Sequence, residues 1–209
     1  MPITYRRAES SIVALMESII DAHHRVLAVH QVKVDVIVIA KEDDEGGISP
    51  ALKDRGYPAA GKVEIVPMKR RALRTTGDRP HTPGDAIITL DASTWEELDD
   101  AEREALIDHE LEHLAIVAAP KTSATGLVEI DPTSAPDNEK FLGVPRYDDL
   151  GRPKLRLRKH DWQLGGFRSI AARHGANALD VQAVHACRDE AGQWFWDFER
   201  APSKERARA

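Results

Sequence analysis

Residues 105–113 read Ala-Leu-Ile-Asp-His-Glu-Leu-Glu-His, and the rest of the chain is best read outward from them. Residues four apart on an α-helix stand one above the other, so His109 and His113 can present two imidazoles to one metal ion. Glu110 lies about 100° round the helix from His109, close enough to reach a water at that metal without being a ligand. The pentapeptide 109–113 matches H-E-x-x-H, a short pattern that gains meaning only from a helical context. That context is present. Ile107, Leu111, Leu114 and Ala118 recur at helical spacing as an apolar back, while Leu106 and Ile116 flank the histidines like the walls of a cleft. The spacing predicts a helix from about Asp100 to Val117, closed by Pro120. Glu112, on the other side of the histidines from Glu110, reads as a solvated residue or as a support behind the histidines.

Upstream, Asp85–Asp91 is an apolar strand bounded by turn residues, and Ser93 or Thr94 opens a helical stretch after it. Lys62–Pro67 alternates as another strand. Val32–Ala40 alternates and then becomes continuously apolar, which predicts a central strand buried on both faces. Ser10 or Ser11 caps a helix with Ile12, Leu15, Met16, Ile19 and Ile20 on one face, running to about His24–Ala28. Glu42–Pro50 reads as a loop. The stretch Met68–Gly84, with Lys69, Arg70, Arg71, Arg74 and Arg79, reads as a solvated basic loop. Downstream, Lys121–Arg152 is a long loop with one short strand at Leu127–Ile130, and Lys154–Arg158 alternates into His160. A helix over Asp161–His174 with Gly175 at its C-cap follows, then a strand or hairpin over Ala178–Phe198.

Composition narrows the function classes. At 209 residues with 42% hydrophobic and 31% charged side chains, the chain can bury a full core without disulfides or a structural metal. One domain over residues 1–201 with a frayed tail at 202–209 is the expectation. Lys plus Arg number 29 against 35 Asp plus Glu, and the formal charge of -6 disfavours nucleic acid as a general partner. The lone Cys187 excludes an internal disulfide and any site built from several thiolates. No run approaches the ~18 apolar residues of a membrane span, and the early apolar patch is broken by Glu9, Glu17 and Asp21. A cytoplasmic protein with no membrane partner is expected.

A catalytic zinc takes three protein ligands and keeps one position for water, so a third ligand is needed. Ile116 and Ala119 stand where the metzincin continuation needs Gly and His. Glu129, Glu139, His81, His174 and His185 remain as alternatives, each in a weaker setting. His160 is the preferred choice because it stands where an alternating strand meets a helix start, with Asp161 able to cap that helix.

Several stretches together resemble the phage metallopeptidases, zincin-like proteins of phages and prophages. They are Ala-Leu-Lys-Asp-Arg-Gly-Tyr-Pro at 51–58, Gly-Asp-Ala-Ile-Ile-Thr-Leu-Asp at 84–91, Trp95, and the motif stretch 105–113. Leu-Arg-Leu-Arg-Lys-His-Asp at 155–161 looks like the family's second motif, whose His is its third ligand. The pattern departs at Leu164–Gly166, where the family places acidic residues before the Phe that matches Phe167.

The resemblance implies an α+β, zincin-like fold with a mixed sheet packed against the helix that carries His109 and His113. It further implies zinc held by His109, His113 and His160, with Glu110 as general base in peptide-bond hydrolysis. A peptide or protein is the expected partner. In such folds the sheet-edge strand beside the helix takes extended substrate by β-addition, and residues 85–91 are the strand expected to do so. Tyr147, Arg168 and His174 are the expected choices for an oxyanion stabiliser. A non-catalytic zinc-binding interaction module and a SprT-like protease acting near nucleic acid are the other readings. The first would not require Glu110. The second would use the basic stretches Lys69–Arg74 and Arg152–Lys159, which lack interleaved aromatic residues.

Overall fold

The computed structural model describes residues 2–42, 47–54, 56–73, 84–130, 143–160 and 166–183. Two units are distinguished, Met1–Lys159 and His160–Ala209. In the first, the chain runs β1 (Ile3–Arg7), α1 (Ser10–His23), α2 (Arg25–Val29), β2 (Val34–Glu42) and β3 (Ile48–Ser49). A small hairpin of β4 (Lys53–Asp54) and β5 (Tyr57–Pro58) precedes β6 (Gly61–Ile65) and α3 (Met68–Leu73). Then come β7 (Ala86–Asp91), α4 (Ala92–Glu97), α5 (Asp100–Glu112), β8 (Leu114–Ile116), β9 (Ala118–Pro120), β10 (Gly143–Pro145) and β11 (Leu155–Leu157). In the second unit α6 spans Arg168–His174.

The protein is α+β with a mixed sheet. Its order is β1-β2-β7-β6, with β2 and β7 parallel and the outer pairs antiparallel. The two inner strands are the most apolar because they have neighbours on both sides. Ala86, Ile88 and Leu90 of β7 are fully buried, as are Val36, Val38 and Ile39 of β2 to within a few per cent. Helix α1 buries Ile12, Met16, Ile19 and Ile20 and packs on α5, which buries Ala105, Leu106, Ile107 and Leu111. Each such Ile or Leu contributes about 1.5–3 kcal/mol on burial.

Strand β7 carries an aspartate at each end, and both side chains are buried. Asp91 Oδ2 accepts the N–H groups of Ala51 (2.7 Å) and Leu52 (2.8 Å), and its Oδ1 accepts Thr94 N–H as the N-cap of α4. The 51–58 and 84–91 stretches are thereby joined. Asp85, just before the strand, accepts Lys33 N–H (2.9 Å), Arg71 Nη1 (2.9 Å) and the Arg152 guanidinium. Gly84 is required beside it, because a Cβ there would stand 2.6 Å from the Lys33 carbonyl oxygen.

Several expectations are corrected. Residues 85–91 do not form a sheet edge: β7 is paired on both sides, and β6 is the edge strand on that flank. The motif helix ends at His113 rather than Val117, so Leu114 and Ile116 belong to β8, paired with β11, and Ala118 to β9. The basic stretch begins as helix α3, and its Arg71 is buried in ion pairs with Asp85 and Asp148. The rest of that stretch, with Arg74 and Arg79, lies outside the described residues. Glu9, rather than a serine, precedes α1, and His24 breaks the chain between α1 and α2.

In the second unit α6 begins at Arg168, after Phe167 in extended conformation, and ends on Gly175 at φ 54°. Phe167, Ile170 and Ala178 form its apolar cluster, against which Val181 packs. Residues 179–183 are helical, where a strand was expected. Residues 161–165, the remainder of the 178–198 stretch, Cys187 and the 202–209 tail lie outside the described residues. No helix among the described residues is long and apolar enough to cross a membrane.

Candidate metal centre

Helix α5 opens with a reciprocal cap. Glu102 N–H donates to Asp99 Oδ1 (2.9 Å) and Asp99 N–H donates to Glu102 Oε2 (3.0 Å). Its last turn carries His109 and Glu110, with His113 as C-cap. The two imidazole rings stand edge-on, 5.1 Å between centroids, and both are half-buried.

His113 is held by a strand pair rather than by the helix alone. Its Nδ1 lies 2.9 Å from the carbonyl oxygen of Arg158, and Arg158 N–H donates to the His113 carbonyl (2.7 Å). A carbonyl oxygen only accepts, so Nδ1 carries the proton and Nε2 is left as the donor atom for a metal. The same Arg158 pairs through its guanidinium with Glu112, whose side chain is 13% exposed. Of the two readings of Glu112 the supporting one fits: it anchors Arg158, the residue that follows β11.

Glu110 is 5% exposed. Its carboxylate fits against Gly61, the first residue of β6. A Cβ at that position would stand 2.9 Å from Glu110 Oε1, 3.0 Å from its Cγ and 3.1 Å from Leu106 Cδ1. The missing side chain is what leaves room for the carboxylate. The glycine stands immediately before the strand expected at Lys62–Pro67, and sequence reasoning gave it no role. It also passed over His24, whose Nε2 stands 2.6 Å from Asp108 Oδ1 in a buried pair.

His160 opens the second unit, with its ring edge-on to Phe167 at 5.2 Å. Glu129 is ion-paired with Lys121. Tyr147 Oη bonds His30 Nδ1 at 2.8 Å. Arg168 and His174 are the first and last residues of α6. His81, Glu139 and His185 lie outside the described residues. A cavity of about 370 Å³ lined by Arg6, Arg7, Trp95 and Arg103, among others, contains none of the motif residues.

Two imidazoles one helical turn apart, one with its tautomer set by a carbonyl, are a donor set suited to a borderline divalent metal. Neither the comparison with curated proteins nor that with solved structures returned a match. The family model described as "Putative phage metallopeptidase" matches residues 3–187, most of the chain. The protein thus belongs to the phage metallopeptidase family, whose name implies a metal-dependent peptidase.

Proposed function

We propose that the protein is a zinc-dependent peptidase with a zincin-like arrangement, in which His109, His113 and His160 hold the metal and Glu110 is the general base. The observation that carries this reading is the buried Glu110 carboxylate, lodged in the space left by Gly61 on the same helical turn as His109. His160 is favoured as third ligand because it follows Arg158 by two residues, and Arg158 is bonded to His113. Two residues span at most ~7 Å of chain, so the tether to the motif is short. Bound zinc supplies Lewis-acid activation of the scissile carbonyl and of water.

The chain's own residues do the rest. The Arg158 carbonyl keeps His113 in the ligating tautomer. Glu110 takes the proton of the attacking water and passes it to the departing amine. The outer side of β6 offers backbone groups to an extended peptide, which replaces the earlier expectation for residues 85–91.

The test is cleavage of peptide and unfolded-protein substrates by the zinc-loaded chain. Glu110→Gln should keep fold and zinc and lose at least about a hundredfold in rate, the usual share of general acid–base catalysis. His160→Ala should lose zinc affinity. Equal cleavage by parent and Glu110→Gln would overturn the mechanism, and unchanged zinc affinity in His160→Ala would remove that ligand.

A further inference from the structure

The last turns of α5 present two chelating pairs side by side. His109 and His113 form one; Asp108 and Glu112, each one residue earlier, form the other with the same four-residue spacing. His24, at the break between α1 and α2, faces the second pair. One ligand atom from each of His24, Asp108 and Glu112 lies within 4.8 Å of the other two.

We propose that His24, Asp108 and Glu112 form a second metal site for a divalent transition ion of the zinc or manganese type, separate from the His109–His113 pair. Charge balance is the first argument. Asp108 is fully buried and Glu112 nearly so, which brings two like-charged carboxylates together in a poorly solvated place. Arg158 contributes one permanent positive charge, on Glu112. A divalent ion bound there would bring compensating charge to both carboxylates at once.

Donor chemistry is the second argument. One imidazole nitrogen with two carboxylate oxygens suits zinc or manganese, whereas calcium and magnesium prefer oxygen alone. Geometry is the third. His24 Nε2 and Asp108 Oδ1 share a hydrogen bond of 2.6 Å. Two ligand atoms on one tetrahedral metal stand roughly 3.3 Å apart, given bonds of about 2.0 Å. Metal entry therefore releases the shared proton and opens this pair by well under an ångström. Glu112 closes the remaining distance through its three side-chain torsions, with one oxygen kept for Arg158. The ion would fasten the α1–α2 junction to the turn that bears Glu110.

The test uses the full chain, stripped with chelator and titrated calorimetrically with zinc and, separately, manganese. The parent should take up two equivalents of zinc and His109→Ala/His113→Ala one. Adding His24→Gln to that double variant should weaken the remaining equivalent at least tenfold, and adding Glu112→Gln should do the same. No uptake by the double variant overturns the proposal. So does equal affinity with and without His24→Gln, since the ion then sits elsewhere. Circular dichroism on each variant keeps folding separate, and if His24→Gln unfolds, Glu112→Gln decides. A single equivalent that survives His109→Ala/His113→Ala and is lost in His24→Gln supports this site while breaking the peptidase centre. The opposite pattern keeps the peptidase centre and overturns this site.

Discussion

Two buried carboxylates, Asp85 and Glu110, lie at different places in the first unit and are built in opposite ways. Asp85 is 1% exposed and both its oxygens are occupied by donors from three separate segments: Lys33 N–H, the Arg71 guanidinium and the Arg152 guanidinium. Arg71 passes the link on to Asp148 at 3.1 Å. Burial alone would raise the Asp85 carboxyl, but the Arg152 hydrogen bond, the Lys33 N–H and the charges of Arg152 and Arg71 hold it below its ordinary 3.8. The pocket of Glu110 is shaped instead by an absent side chain, that of Gly61, and by Leu106. A carboxylate surrounded by cations from distant segments clamps the chain. One lodged against a glycine is held by shape, in the space the missing side chain leaves. Burial by itself does not tell the two apart; the neighbours do.

The largest effect should come from the clamp. Asp85→Ala leaves the 8%-exposed Arg71 without its main partner, and breaking a buried ion pair from one side costs about 3–5 kcal/mol. Urea unfolding measures this, and cleavage per folded molecule should be unchanged. A loss under about 1 kcal/mol would make Asp85 an ordinary surface-like pair and dissolve the contrast. Acid offers a second reading of the same site. Because the folded carboxyl titrates below the unfolded one, its stabilisation is present above about pH 4 and fades as pH falls through the folded value. Asp85→Asn should therefore flatten the acid limb of the stability curve, whereas an unchanged slope would contradict the assignment.

A smaller effect, of the opposite kind, belongs to Gly61. In Gly61→Ala the new methyl group would press on Glu110 Oε1 from 2.9 Å, so the carboxylate must shift. Misplacing a catalytic group by a fraction of an ångström should lower kcat by about tenfold or more. Zinc affinity should hold, and the melting temperature should move little. An unchanged kcat would show that the glycine does not set the position of Glu110.

Metal removal should have the least effect on the fold. The core of β2, β7, α1 and α5 is apolar and closes without a ligand. Chelation should leave at least about nine-tenths of the helical dichroism, because only small modules owe their folding to metal. Cooperative unfolding on chelation would give the proposed metal a structural role instead of a chemical one.

Much of this was legible in the chain. Val36–Ile39 is apolar without alternation, the mark of a strand covered on both faces, and it is central; 85–91 was legible as a strand but was expected at the sheet edge, whereas β7 is paired on both sides. The pairing of His109 with His113 followed from helical spacing. The helix end did not. Leu114 and Ile116 satisfy both a helical stripe continued from Leu111 and a strand's alternation, and the arbiter is β11, about forty residues downstream. β1 was missed because an edge strand with Thr4, Arg6 and Arg7 is exposed throughout and has no apolar face to display. Arg71 looked solvated for a similar reason: nothing local to a run of basic residues says that Asp85 waits across the fold. Long-range pairs, not local propensity, were the unread part of the chain.

The pairing of β9 with β10, described above only as topology, also governs what the chain can tolerate. Pro120 is opposite Gly143 and Ala118 opposite Pro145, so the segment 121–142 leaves and returns at one closed gate. Closing a loop is a logarithmic matter, and doubling its length adds only about 0.6 kcal/mol. Lengthening or trimming the chain between Pro120 and Gly143 should therefore cost little as long as the β9–β10 pair is kept. β8 on one side of the gate and β11 on the other would keep their register throughout.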